Sequence, residues 1–303
     1  MVGAANWPDV WRVALMVVAQ RDSALPRGKR WLAFWQEMRW RFWRLPALSV
    51  IYRLYEQRLL AQVQAFPLPR HIGIILDGNR RFARRHNLTD PQEIYNAGAQ
   101  KLDDLLDWCA DLGLGAITLW VLSTDNFDRR AEELSGILMA LEGKLTALAN
   151  DPQIHHRRIC VRAVGRLDLL PESTRAAVHA AEAATKGYNG MYLTIAAAYG
   201  GQQEITDAVQ SLLREQLKAG NTFEQAIELV TPDAVGPYLY SPELPDPDLI
   251  IRTSGEIRLS GFLLWQSAYS EFHFTDVFWP EFRRIDFLRA IRAFQQRHRR
   301  HGQ

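Results

Sequence analysis

Three short stretches gather the residue types from which charge-stabilising chemistry is built. The first is "HIGIILDGNRRFAR", residues 71–84, in which an isoleucine-rich run ends abruptly at Asp77, and Gly78, Asn79, Arg80 and Arg81 follow without a spacer. A glycine at such a point lets the backbone approach a ligand closely. If Asn79, Arg80 and Arg81 open a helix, its free N–H groups and dipole favour an anion. Two guanidiniums there suit a diphosphate better than a carboxylate. Asp77 would repel that anion unless a cation lay between them, which points to Mg²⁺. The plainer reading makes Asp77 a helix N-cap with solvated arginines behind it.

The second stretch is "LSTDNFDRR", where Ser123, Thr124, Asp125 and Asn126 bunch at the end of an apolar run, followed by Phe127 and Arg129. Alone it reads equally as a capped turn, since Ser, Asp and Asn favour turns for local reasons. The third is "IIRTSGEIRLSGFLLWQSAYSEFHF", in which Arg252, Ser254, Arg258 and Ser260 offer anion donors around Gly255 and Gly261. Glu271 is a lone acid in apolar surroundings, where a carboxylate needs a partner or a metal. In isolation this segment would pass for a salt-bridged loop. A fourth pattern, "DDLLD" at Asp103 to Asp107, matches the DDxxD arrangement of Mg²⁺–diphosphate ligands. There Leu102, Leu105, Leu106 and Cys109 form an apolar helical stripe, and the aspartates project away from it as a solvated face would.

The elements that must position these residues follow from periodicity. Short apolar runs predict strands at His71–Leu76, Ala116–Leu122, Ile159–Val164, Met191–Ala196, Asp248–Arg252 and Phe272–Phe274. Amphipathic segments predict helices near 91–112, 131–149, 171–185, 201–218 and 284–298. Asp90 is the expected N-cap of the first of these, with Glu93 as capping-box partner and Gly113 just past its end. Strand–helix alternation makes the fold α/β: a mostly parallel central sheet of about six strands flanked by helices. In such sheets ligands bind outside the carboxyl ends of the strands. Asp77 and Ser123 both fall at such ends, on consecutive strands, which sets the first two clusters side by side.

The 303-residue chain carries a formal net charge of +2, unevenly distributed. Residues 1–65 hold ten Lys/Arg against four Asp/Glu, and six of the ten tryptophans. Residues 1–66 therefore read as a helical, Trp/Arg-rich N-terminal arm ahead of one domain at 67–303. Over 29–45, Trp31, Phe34, Trp35, Met38, Phe42 and Leu45 share one face, flanked by Arg30, Arg41 and Arg44. That face fits a membrane interface or packing on the protein itself or a partner subunit. Pro46 breaks the pattern, and a further helix is expected from about Leu48 to Gln64. Two cysteines, Cys109 and Cys160, make neither a disulfide framework nor a zinc site. No apolar run is long enough to span a bilayer. The expectation is a cytoplasmic protein, with peripheral attachment to the inner face of the membrane left open, and no nucleic-acid partner.

In this order and spacing, "DGNRRFAR", "LSTDNFDR" and "RTSGEIRLSGFLLWQSAYSE" resemble the cis-prenyltransferase (undecaprenyl diphosphate synthase-like) family over about residues 70–302. "YRLYEQRL" and "RLSGFLLWQ" are most similar to the actinobacterial short-chain type that makes Z,E-farnesyl diphosphate. The resemblance implies condensation of isopentenyl diphosphate with an allylic diphosphate, Mg²⁺ dependence and a homodimer. It makes Asp77 the residue that binds Mg²⁺ and helps the allylic diphosphate ionise, with Gly78, Asn79, Arg80, Arg81 and Phe82 around that diphosphate. It pairs Ser123 with Asn126 in removing the proton from isopentenyl diphosphate. Thr124, Asp125, Phe127 and Arg129 join the substrate site, and Arg252, Arg258, Leu259 and Ser260 the isopentenyl diphosphate clamp. Glu271 becomes a second metal-associated acid, and Arg300-His301-Gly302 a tail that reaches a neighbouring subunit. Departures from the pattern are Tyr95 and Ile257 where histidines are common, and Gly261 where asparagine is common.

Bulk at the position of Val121 is expected to gate an apolar tunnel. Valine is intermediate there, and the resemblance tilts the expectation to a short or medium product, with a long-chain lipid-carrier synthase as the alternative. Three rivals make different demands. A non-catalytic partner subunit of the same fold would lack Asp77 and the arginine clamp. A phosphohydrolase would need more carboxylates or histidines. A membrane adaptor driven by the arm would bind lipid without Asp77.

Overall fold

The computed structural model describes residues 46–301. The Trp/Arg face expected over 29–45 and Gly302 lie outside the described residues, and the side chains of Arg300 and His301 are not described. The chain divides into two compact units, residues 1–58 and 59–303. Of the first, the described part is helical and belongs to the helix Pro46–Gln64. That helix begins at the proline expected to end the preceding pattern, a residue well suited to a first helical turn.

In the second unit six parallel strands form one sheet in the order β3-β4-β2-β1-β5-β6. They are β1 (His71–Ile75), β2 (Ala116–Trp120), β3 (Ile159–Val164), β4 (Met191–Ala196), β5 (Leu249–Arg252) and β6 (Glu271–Phe274). Every residue of β1 is buried, as expected of a strand covered on both faces. The order explains the grouping of the sequence clusters. β1 lies between β2 and β5, with Ile75 in register with Trp120 on one side and Arg252 on the other. The chain leaves β1 toward β2 but β5 toward β6, so the strand order reverses between β1 and β5, where a crevice opens at the carboxyl edge.

The helices Pro91–Leu112, Ala131–Asn150, Glu172–Thr185, Gly201–Lys218 and Arg284–His301 cover the sheet. Asp90 caps the first through a 3.0 Å bond from Gln92 N–H to its Oδ1, and Gly113 ends it at φ 70°. Gly98 on this helix lets Trp279 and Asn79 close in. Trp279 Nε1 donates to its carbonyl at 2.8 Å, and a Cβ there would lie 2.8 Å from Asn79 Oδ1. The buried Gln295 amide ties the last helix to the entry into β1 by donating to the carbonyls of Val63, Phe66 and Pro67 at 2.9–3.2 Å.

Leu102, Leu105, Leu106 and Cys109 are buried, and the three aspartates of "DDLLD" are exposed. Each aspartate has a basic partner: Lys144 for Asp103, Lys101 for Asp104 and Arg157 for Asp107. Three short helices, Pro152–His156, Phe223–Glu228 and Pro232–Val235, were not expected, being too short to show a period.

Candidate active site

A cleft of about 490 Å³ opens at the carboxyl edge of β2, β1 and β5. Asp77, Gly78, Asn79, Arg80, Arg81, Ser123, Asn126, Arg129, Arg252, Arg258 and Ser260 all line it. Residues more than a hundred positions apart thus share one surface because their strands are neighbours.

Asp77 lies just beyond β1. Its main chain is pinned by Thr253: Asp77 N–H donates to Thr253 Oγ1 at 2.9 Å, and Thr253 Oγ1 donates to the Asp77 carbonyl at 2.7 Å. Its carboxylate meets Arg252 Nη2 at 2.8 Å, Arg81 Nη2 at 3.4 Å and the Gly78 N–H at 2.6 Å. Partial burial pushes the carboxyl's pKa up, but Arg252, Ser254 and Arg81 outweigh it and hold it below the usual range. The group is therefore a fixed anion at neutral pH. Gly78 adopts φ 105°, and a Cβ would come within 3.1 Å of the Phe278 Cα, so glycine is required on both counts. It opens the helix Asn79–His86 with no side-chain cap, which leaves the first N–H groups available to an anion.

Arg252 is the best-held cation of the site, its side chain only 5% exposed. Besides Asp77 it donates to Ser260 Oγ at 2.8 Å and to the Arg258 carbonyl. Arg81 donates to Ser254 Oγ at 2.6 Å and to Glu256 Oε1 at 3.0 Å, and Glu256 also pairs with Arg258. Ser254 and Ser260 sit at φ 83° and 53°, unusual for non-glycine residues, and mark a loop bent so that its oxygens converge as acceptors on Arg252 and Arg81.

Ser123 and Asn126 belong to a 3₁₀ turn, Thr124–Asp128, in which Asn126 Oδ1 accepts from Ser123 N–H at 3.2 Å. The capped turn and the cleft position therefore coexist. With Oδ1 committed to the cap, Asn126 offers the cleft an amide donor rather than a base.

Tyr95, standing where a histidine is common, bridges the second cluster. Its hydroxyl donates to Glu133 Oε1 at 3.0 Å and accepts from Arg129 Nη1 at 3.1 Å, while Arg129 also holds Glu133 at 2.7 Å. Burial, with Glu133 nearby, pushes the Tyr95 pKa up to about 12, so it remains a neutral hydroxyl where a histidine would titrate. Tyr95→Phe is expected to loosen Arg129 by one hydrogen bond, worth about 0.5–1.5 kcal/mol, and so to weaken the hold on an anion in the cleft roughly two- to ten-fold. Its pH profile across neutrality should overlay that of the parent, which steady-state kinetics would check.

Some expected residues fall outside the cleft wall. Phe82 packs against His86 with ring centroids 4.3 Å apart and planes tilted by 40°. Leu259 packs on the core around Ile75, Tyr199 and Phe262. Thr124 and Phe127 do not line the cleft, and Asp125 is exposed. Glu271 starts β6 in register with Leu249 and ion-pairs with Arg297 at 2.9 Å. Asp77 lies past the other end of the sheet, so one chain does not bring these two acids together. Glu256, Arg84, Tyr95 and Trp120, by contrast, do line the cleft. Arg84 could have been found as the next residue on the helical face of Arg80 and Arg81. Glu256 carried no such signal.

Among the described residues no group of three or more His, Cys, Asp or Glu is placed to hold a metal ion. One ionised carboxylate beside several arginines still fits Mg²⁺, which commonly takes one or two carboxylates and completes its shell with substrate phosphates and water.

Behind the cleft lies a smaller cavity of about 70 Å³, lined mainly by apolar side chains from β2, β4 and the helices Pro91–Leu112 and Ala131–Asn150. Leu76, Asn79, Tyr95, Val121 and Ile137 line both spaces. An arginine-lined cleft that shares five wall residues with an apolar cavity, at the switch point of a parallel sheet, is an arrangement suited to an anionic head carrying a hydrocarbon tail.

The chain matches the family model described as putative undecaprenyl diphosphate synthase over residues 75–302. It is 56% identical to an isoprenyl transferase of Deinococcus radiodurans, covering 82% of this chain and 90% of the relative. It is 50% identical to a (2Z,6E)-farnesyl diphosphate synthase of Thermobifida fusca, covering 83% and 97%. The lavandulyl diphosphate synthase of Lavandula x intermedia, solved with dimethylallyl diphosphate, matches with TM-score 0.68 and 29% identity, covering 75% of this chain and 95% of that one. The chain belongs to the undecaprenyl diphosphate synthase-like family of cis-prenyltransferases.

Proposed function

We propose that this enzyme condenses isopentenyl diphosphate with geranyl or farnesyl diphosphate, in a Mg²⁺-dependent reaction, to give a Z-polyprenyl diphosphate. The observation that carries the reading is that the arginine-lined cleft adjoins the apolar cavity, with Val121, Tyr95 and Ile137 in the wall of both. Arg80, Arg81 and the free N–H groups after Gly78 receive the allylic diphosphate, while Arg252, Arg258 and Ser260 hold the second diphosphate. The allylic C–O bond breaks, the new C–C bond forms from the double bond of isopentenyl diphosphate, and one proton leaves. Fixed donors stabilise the charge that collects on the departing diphosphate, as in an oxyanion hole. Asp77, kept ionised by Arg252 and Arg81, would hold Mg²⁺ together with diphosphate oxygens, and the ion would supply further neutralisation of that charge. Asn126 orients isopentenyl diphosphate through its amide donor, with Ser123 or the diphosphate taking the proton.

The narrow apolar cavity supports a short or medium product. The long-chain alternative draws on a 51%-identical tritrans,polycis-undecaprenyl-diphosphate synthase of Methanopyrus kandleri. A homodimer and membrane-surface contact through residues 1–66 complete the proposal; no helix among the described residues is long and apolar enough to cross a membrane. Purified protein with labelled isopentenyl diphosphate and an allylic primer should form an elongated product that EDTA suppresses. Chromatography against chain-length standards separates the short from the long product. Absence of incorporation with every primer would refute the reading.

A further inference from the structure

We propose that the Lys144–Asp103 ion pair closes the far end of the apolar cavity and limits how far a hydrocarbon grows into it, an inference that rests on the prenyl-transfer reading above. The helix Pro91–Leu112 gives the cavity Tyr95, Gly98, Ala99 and Leu102, and the helix Ala131–Asn150 gives it Ile137, Ala140, Leu141 and Lys144. Tyr95 and Ile137 also line the cleft and so mark the mouth. Leu102 and Lys144 each stand seven residues further along their helix. At 1.5 Å per residue, that is about 10 Å deeper.

Lys144 is the one charged side chain lining this cavity, and it is only 11% exposed. Its stem lies along the apolar wall while its ammonium meets Asp103, which is 56% exposed, as a snorkelling lysine does. The other two aspartates of "DDLLD" pair with Lys101 and Arg157, neither of which lines the cavity. Asp103 is thus the member of that run tied to the site. An isoprenoid end that reaches Lys144 meets a cation that loses its counter-ion if displaced, and an unpaired charge against hydrocarbon is costly. Growth therefore slows there until the pair swings outward.

The test has two readouts on the full chain. In the first, products from isopentenyl and farnesyl diphosphates are sized by chromatography. Lys144→Ala and Lys144→Met should shift the distribution longer by at least one isoprene unit, Asp103→Asn should shift it less in the same direction, and Lys144→Arg should leave it in place. The second needs no turnover: n-alkyl diphosphates of increasing length are titrated calorimetrically. Affinity should rise by roughly four-fold per methylene, then level off, and the plateau should come at a longer chain in Lys144→Ala. If the parent protein forms no prenyl product but the plateau moves, the prenyl-transfer reading fails while the closure stands. Unchanged product lengths and an unchanged plateau in both Lys144→Ala and Lys144→Met would overturn the closure.

Discussion

Asp77→Asn is expected to lower kcat by about 10²–10³-fold, the scale on which single preorganised charge-stabilising groups act. The substitution keeps the size of the side chain and its ability to accept from Gly78 N–H, so the local fold should survive. What is lost is the fixed negative charge between Arg252 at 2.8 Å and Arg81 at 3.4 Å. Two effects follow: the guanidiniums lose the Asp77 counter-charge, and, on the proposed reading, the carboxylate that would hold Mg²⁺ is gone. Primer binding should weaken less than turnover, because the arginines still attract an anion. The pH dependence of stability follows from the direction of the shift. The carboxyl's folded pKa lies below its unfolded value. The pair's stabilisation is therefore fully present above the ordinary carboxylate range and is lost as pH falls through the lowered folded value. Parent and variant should differ in thermal midpoint at neutral pH and converge in acid. Differential scanning calorimetry at two pH values checks this.

Arg252→Lys should cost kcat/KM about 10²–10³-fold despite conserving charge. The guanidinium serves Asp77 with Nη2 and Ser260 with Nη1, and it reaches the Arg258 carbonyl as well. A lysine ammonium cannot span those partners with fixed geometry. Arg252→Ala should be worse for stability, since it leaves Asp77 partly buried without its closest cation. Breaking a buried pair costs about 3–5 kcal/mol, which corresponds to a fall in Tm of roughly 6–20 °C for a domain of this size. The lysine variant should retain most of the Tm, so the two substitutions separate binding geometry from folding.

The strands carrying the clusters were legible because each is an apolar run that soon meets residues that do not belong in a sheet: Asp77 after Ile75, Ser123 after Trp120, Ser254 and Gly255 after Arg252. Asp90 and Gly113 bounded the helix between them for local reasons, although the cap bond runs to Gln92 N–H and not through Glu93. Periodicity said nothing about the partners of those residues. The Asp77–Arg252 pair joins positions 175 apart, and the service of Tyr95 and Glu133 to Arg129 depends on two helices meeting across the cleft. Glu271 shows the opposite limit. Its setting left a partner or a metal open, and the metal role came from the resemblance alone; its register in β6 puts it at the other end of the sheet from Asp77, with Arg297 as the partner. The cavity wall was half legible: Val121, singled out in the sequence, does line it, while Lys144 lies in an otherwise ordinary amphipathic helix.

The stereochemistry of the product tests the central claim most directly. Incubated with Mg²⁺, geranyl or farnesyl diphosphate and ¹³C-labelled isopentenyl diphosphate, the protein should give a product whose newly formed double bond is Z by carbon NMR, with no such product from Asp77→Asn. A new double bond in the E configuration, or undiminished Z product from Asp77→Asn, would contradict the account.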